Sequence, residues 1–280
     1  MLRRGFTLVE MVVSLGLTLI VTAAAHRLIT VTQHWSRVQV EQLTLQSSVR
    51  IGVLVAANEL RGLNTVPGGT AEQNDIVSLA PNGIVYRASR GTGLLCQPPA
   101  GSQLRLARNG FSGYRDPQPG RDLVYLFRPG SSAAGEDDGW VPLAITGVAT
   151  GSACPGGLGP GITLTTGAAS WPPEVTAGTP ARIVELMELK AYQSEGQWWM
   201  GARSVSSGEA IQPLAGPLDE QDGFRLIYLN RTGGATSDPT AVAGIRIAVR
   251  GLNQELRRTG SAAAFEELTT QVTLRNAHRP

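Results

Sequence analysis

Lysine is almost missing from this chain: among 24 basic residues, Lys190 is the only one. The formal net charge is +2 and charged residues make up 16%, which excludes a nucleic-acid binder working through a strong basic field. Cysteine is confined to Cys96 and Cys154, with no CxxC pair, and histidine to His26, His34 and His278. A metal centre needs several such ligands together, and His26 and His34, two turns apart, have no third ligand near them. They read as polar positions at a membrane edge and on a solvated face. Serines are plentiful, but no nucleophile has an assignable base, since His278 lies two residues from the end. Catalysis in an enzyme therefore finds no support, and no cofactor is implied. Gly and Pro, 34 and 17 residues, are together roughly 18% of the chain, below the low-complexity range and suited to a loop-rich β domain.

Charge is scarcest at the start. Over residues 6–25 the only ionisable side chain is Glu10, and no proline occurs before Pro67. About 20 apolar residues in a helix, rising roughly 1.5 Å each, cross a bilayer core of about 30 Å. Arg3 and Arg4 precede the run, and a cationic flank holds that end in the cytoplasm. A secretory signal carries its small-residue cleavage site beyond the apolar run. Here the small residue, Gly5, comes before it, so a cut there leaves the whole membrane helix on the mature chain. Glu10 is the other anomaly. A carboxylate within a membrane helix costs about 2.5 kcal/mol or more, and it marks a functional position that needs a partner. A cut after Gly5 makes Phe6 the N-terminus, with its ammonium one turn from Glu10 of the same chain or of a neighbouring copy.

The run Arg3-Arg4-Gly5-Phe6-Thr7-Leu8-Val9-Glu10, leading into an apolar helix, resembles the class III signal of type IV prepilins and pseudopilins. The alternative is an uncut signal anchor. The resemblance implies a five-residue leader removed after Gly5 by a prepilin peptidase, which N-methylates Phe6, and a Glu10 that registers subunits in a filament. It also implies a single-pass protein of the inner membrane with its head outside the cytoplasm, later part of a pilus or pseudopilus. Its partners would be that peptidase/methyltransferase, other major and minor pilins and the inner-membrane assembly platform.

Beyond Arg27 the helical pattern becomes amphipathic, with Leu28, Val31, Trp35, Val38, Leu45 and Val49 in one stripe among Gln, Arg and Glu. One helix over residues 6–61 is expected, about 84 Å long. Gly16 and Gly52 are its weak points, and Gly62 is its stop. Strands are expected at 75–79, 84–87, 104–107, 123–127, 141–145, 162–166, 181–192, 197–203, 224–229, 245–249 and 268–274. Pro81-Asn82-Gly83 and Ser194-Glu195-Gly196 are the hairpin turns. Many short strands after one long helix make an α+β, pilin-like plan, with the helix packed on a mainly antiparallel sheet. The expected segments are a leader (1–5), a transmembrane helix (6–27), its amphipathic continuation (28–61) and a β-rich head (62–280).

If the head lies outside the cytoplasm, Cys96 and Cys154, both in Gly/Pro-rich loops, most simply form a disulfide; two free or metal-binding thiols are the alternative. Other local features are weaker. Glu136-Asp137-Asp138-Gly139 lacks EF-hand spacing and reads as a solvated turn. The run at 156–161 superficially looks like a phosphate loop, without the strand-then-helix context. Asn230-Arg231-Thr232 reads as a turn rather than a glycosylation site. Trp140, Trp171, Trp198 and Trp199 read as packing residues, with an exposed aromatic face for a partner as the alternative.

Residues 58–62, 223–228, 244–249 and 272–276 resemble the helix end and closing strands of PilW- and GspJ-type minor pilins. The resemblance thus implies a minor pilin or pseudopilin, a structural subunit serving assembly, initiation or the tip of a type IV pilus or a type II secretion pseudopilus. The alternatives are a J-type pseudopilin dedicated to protein secretion and a membrane-anchored tip adhesin that binds a surface or DNA.

Overall fold

A computed structural model describes residues 7–130, 138–168, 170–258, 260 and 264–277. One α-helix, α1 (Leu8–Arg61), runs unbroken for 54 residues, about 80 Å. Thr7 caps its start and Gly62 its end. Its buried residues are Val38, Leu45, Val49, Gly52, Val53, Ala56, Ala57 and Leu60, one face at 3–4 spacing. Packing therefore begins at Val38. The earlier members of the expected stripe, Leu28, Val31 and Trp35, stand in the open. Gly52 is no bend: a Cβ there would lie 2.6 Å from the Cβ of Ala215, so glycine lets helix and sheet close on each other.

The strands are β1 (Asn64–Thr65), β2 (Ile76–Ala80), β3 (Gly83–Leu94), β4 (Gln103–Ala107), β5 (Ser112–Gly113), β6 (Asp122–Arg128), β7 (Gly139–Ala153) and β8 (Pro160–Thr166). They continue with β9 (Pro180–Ser194), β10 (Gln197–Ser204), β11 (Gln212–Leu218), β12 (Phe224–Leu229), β13 (Gly244–Leu252), β14 (Phe265–Thr273) and β15 (Asn276–Ala277). Every ladder is antiparallel except the two-residue pair β1–β15. The fold is thus the α+β, pilin-like arrangement, one long helix packed on a large antiparallel sheet. Both expected hairpins are present: Ala80 pairs with Gly83, and Ser194 with Gln197. At the second, Glu195 (φ 51°) and Gly196 (φ 75°) both take left-handed geometry, matching the strand twist.

Two hydrophobic cores share this sheet. In the first, α1 lies on β11, β13 and β14, with Leu45, Val49, Val53 and Leu60 meeting Phe224, Ile245, Ile247 and Val249. The second is enclosed by a ring of six strands in the order β3, β9, β6, β7, β8, β4. The ring closes where Leu95 bridges Leu106 and the Cys96 N–H donates to the Arg105 carbonyl at 2.9 Å. Leu104, Leu106, Val124, Leu126, Ile162 and Leu164 fill it. β3 and β9, at 12 and 15 residues, are long enough to serve both cores.

A charged layer separates the cores. Glu185, 1% exposed, accepts from Arg90 Nε at 2.6 Å, from Arg115 Nη2 at 3.2 Å and from Arg121 Nε. Arg115 also grips buried Asp122, and Arg90 reaches Glu59 on α1 at 3.2 Å. Burial pushes the Glu185 carboxyl up, but the hydrogen bonds from Arg90 and Ser204 and the Arg90 charge outweigh it, and the result lies below the usual range. An unpaired charge there would cost several kcal/mol, so the layer is stable only as a set.

Candidate functional site

Leucine, valine and isoleucine ordinarily seek an interior, yet the front of α1, residues 8–37, has none. Leu8 is 80% exposed, Leu15 71% and Leu19 68%, and no residue of α1 before Val38 is buried. A continuous apolar surface of this size marks contact with a membrane or with another protein. Among the described residues, α1 is the one helix long and apolar enough to cross a bilayer. Its polar side chains suit that medium. Thr18 Oγ1 donates to the Ser14 carbonyl at 2.8 Å and Thr22 Oγ1 to the Thr18 carbonyl at 2.7 Å. These hydroxyls carry no unmet donor into the apolar layer. The four-residue spacing of Ser14, Thr18 and Thr22 was the sequence signal for it, and sequence reasoning missed it.

Glu10 sits in the first turn. Its Oε2 accepts from the Thr7 N–H and from Thr7 Oγ1, each at 2.9 Å, while Thr7 Oγ1 accepts from the Glu10 N–H at 3.3 Å. Reciprocal bonds of this kind meet two otherwise unpaired donors at the helix start, and a carboxylate there also favours the positive end of the helix dipole. The Thr-x-x-Glu spacing is the sequence signal for it, and Thr7 is a further residue that sequence reasoning missed. Gly5 and Phe6, the expected cleavage site and methylated terminus, lie outside the described residues, as do Arg3 and Arg4.

The two cysteines come together where the ring of six strands closes. Cys96 follows β3 and Cys154 follows β7, and they are joined as a disulfide with Cα atoms 5.7 Å apart. Of the glycine-rich run at 156–161, Gly161 packs beside this bond, while Gly156 and Gly157 stand in open space in left-handed geometry. A Cβ at Gly161 would lie 3.1 Å from Cys154 Sγ and 2.8 Å from Arg105 Cγ.

The remaining features are scattered. His26 and His34 are exposed along α1, and the described residues hold no cluster of three metal-ligating side chains. His278, Glu136 and Asp137 lie outside the described residues, and Asp138 accepts from the Gly130 N–H at 2.7 Å. Asn230 holds its own turn, its Oδ1 accepting from the Thr232 and Gly234 N–H groups. Three of the tryptophans have separate neighbours. Trp140 meets Phe127 edge-on at 5.5 Å, the Trp171 indole donates to the Gly101 carbonyl at 2.6 Å, and Trp198 packs against the α1 core.

Residues 1–25 match the model of the prokaryotic N-terminal methylation motif. No curated protein and no solved structure matches the chain. The motif supports a type IV pilin-like protein, a pilus or pseudopilus subunit. It implies processing by a prepilin peptidase and assembly with other pilins, and it points to a structural protein rather than an enzyme. Together with the exposed apolar helix, it fits a membrane-anchored subunit.

Proposed function

We propose that this chain is a minor pilin or pseudopilin of the PilW/GspJ type, held in the inner membrane by the front of α1 with its head outside the cytoplasm. A prepilin peptidase cuts after Gly5 and methylates Phe6, and the mature chain then joins other pilins on the assembly platform, at the initiation complex or tip. The observation that carries this reading is the division of α1: its apolar front has no buried residue, while its rear is buried in the head's core. Glu10, tied to Thr7 within its own turn, keeps a carboxylate at the mouth of the helix where the Phe6 ammonium of a neighbour can pair with it. A head of more than two hundred residues and the lack of a mid-membrane proline favour a low-copy subunit over a shaft subunit.

Intact-mass analysis of protein taken from its native membrane tests this. The expected species begins at N-methylated Phe6 and carries the Cys96–Cys154 bond, two mass units below the reduced chain, while Gly5→Asp retains the leader. A chain beginning at Met1 in cells with an active prepilin peptidase overturns the reading.

A further inference from the structure

A strand at the edge of a sheet presents unpaired backbone groups, and proteins usually blunt such edges with proline, lysine, bulges or short length. Most edges here are blunted. The free side of β12 is met by the Pro81 carbonyl, which accepts from the Leu226 N–H at 2.6 Å. β2 is five residues long and bulged, and β11 carries Pro213 and Pro217. β14 is different. It pairs with β13 over nine residues without a register shift, has no proline, lysine or glycine, and pairs with no other described strand.

The bonds at its two ends fix which groups face out. The Asn253 N–H donates to the Ala264 carbonyl, and the Leu274 N–H to the Ala243 carbonyl. Antiparallel ladders alternate, so Glu266, Leu268, Thr270 and Val272 bond to β13. The N–H and C=O groups of Phe265, Glu267, Thr269, Gln271 and Thr273 therefore point away from the sheet. On the α1 side, Leu268 remains 39% exposed beside this edge. The only charges on β14 are Glu266 and Glu267.

We propose that the β14 edge is a strand acceptor: it takes an extended segment of another protein into the sheet, with an apolar residue against Leu268 and lysine or arginine beside Glu266 and Glu267. Main-chain bonds then supply affinity, and the alternating side chains supply choice. A second copy of this chain is the wrong occupant. Pairing two β14 strands antiparallel requires a two-fold axis normal to the sheet, and that axis reverses the direction of α1, which lies along the sheet. Two membrane helices pointing opposite ways cannot share one bilayer orientation. That exclusion alone rests on the pilin-subunit reading.

The test is selection of a displayed random nine-residue peptide library on the purified full chain in detergent, counter-screened on Thr269→Pro. Proline at 269 removes an outward N–H and leaves the β13 ladder whole, so the head should fold and melt as wild type. Gln271→Pro, also outward-facing, replaces it if that variant is unstable. The expected result is recovery of alternating apolar/polar peptides rich in lysine or arginine that bind the proline variant about ten-fold or more weakly, from loss of the shared backbone bonds. No enrichment, acidic consensus peptides, or equal binding to the proline variant overturns the proposal. Neither membrane nor processing enters this assay, so an unmethylated Phe6 with successful selection sinks the pilin reading alone, and the reverse result sinks the acceptor alone.

Discussion

The front and the rear of α1 are one unbroken helix with opposite surroundings. Residues 8–25 are apolar almost all round and stand exposed, while residues 38–61 are more polar overall and form the middle of a core. Hydrophobicity by itself thus does not decide what is buried within the chain. The rear is buried because its apolar residues make a single stripe and because Gly52, Ala56 and Ala57 let the sheet approach closely. Residues 8–25 have no stripe to offer one partner surface, and suit a medium that contacts every side.

Substitutions that treat the two halves alike should break this contrast if it is wrong. The largest effect is expected where the rear end of α1 meets the charged layer. Glu185→Ala leaves Arg90, Arg115 and Arg121 without their shared carboxylate and should cost about 3–5 kcal/mol in denaturant unfolding of the head. The same group sets an acid limb. Its folded carboxyl titrates below the usual 4.5, so its stabilisation is present above that value and is lost as pH falls through the lower folded one. A wild-type head whose stability does not fall over that window would contradict the assignment.

Leu60→Ala, at a site with 0% exposure, should cost about 2–5 kcal/mol, whereas Leu17→Ala on the front should shift head unfolding by less than about 0.5 kcal/mol. Equal losses would mean that the front packs on the head after all. The glycines make a sharper pair. Gly52→Ala forces a contact with Ala215 and should lose about 1–3 kcal/mol, while Gly16→Ala, with nothing within 4 Å, should gain up to about 1 kcal/mol of helix stability. Helix content and head unfolding of the two variants, measured in the same detergent, decide it.

The smallest effect on the fold is expected from Glu10→Gln. It should leave head stability, membrane insertion and cleavage unchanged, yet lower co-purification with other pilins. Equal recovery of partners from wild-type and variant cells would remove Glu10 from subunit registry.

Much of the architecture was legible locally. The Pro81-Asn82-Gly83 and Ser194-Glu195-Gly196 turns and ten or so strands follow from period-two alternation between turn residues. β11 is hard to see in the sequence, since Pro213 and Pro217 argue against a strand, and Ser89-Arg90-Gly91 interrupts the alternation of β3. In the fold that stretch is a bulge that delivers Arg90 to Glu185. At the candidate site, Glu10 stood out at once as the lone charge in an apolar run, while its hydrogen-bond partner Thr7 was overlooked.

What the chain determined by itself lies within a turn or two of sequence: the Gly5–Glu10 signal, the length and apolarity of α1, the hairpins. These depend on neighbours in the chain, and local spacing encodes them. Tertiary structure alone decided where the helix begins to pack, how six strands close into a ring, which carboxylate three arginines share, and which strand is left with an open edge. Each of those joins residues tens to hundreds of positions apart, as Arg90 joins Glu185, and no local period records which distant residue will complete a charge or a ladder.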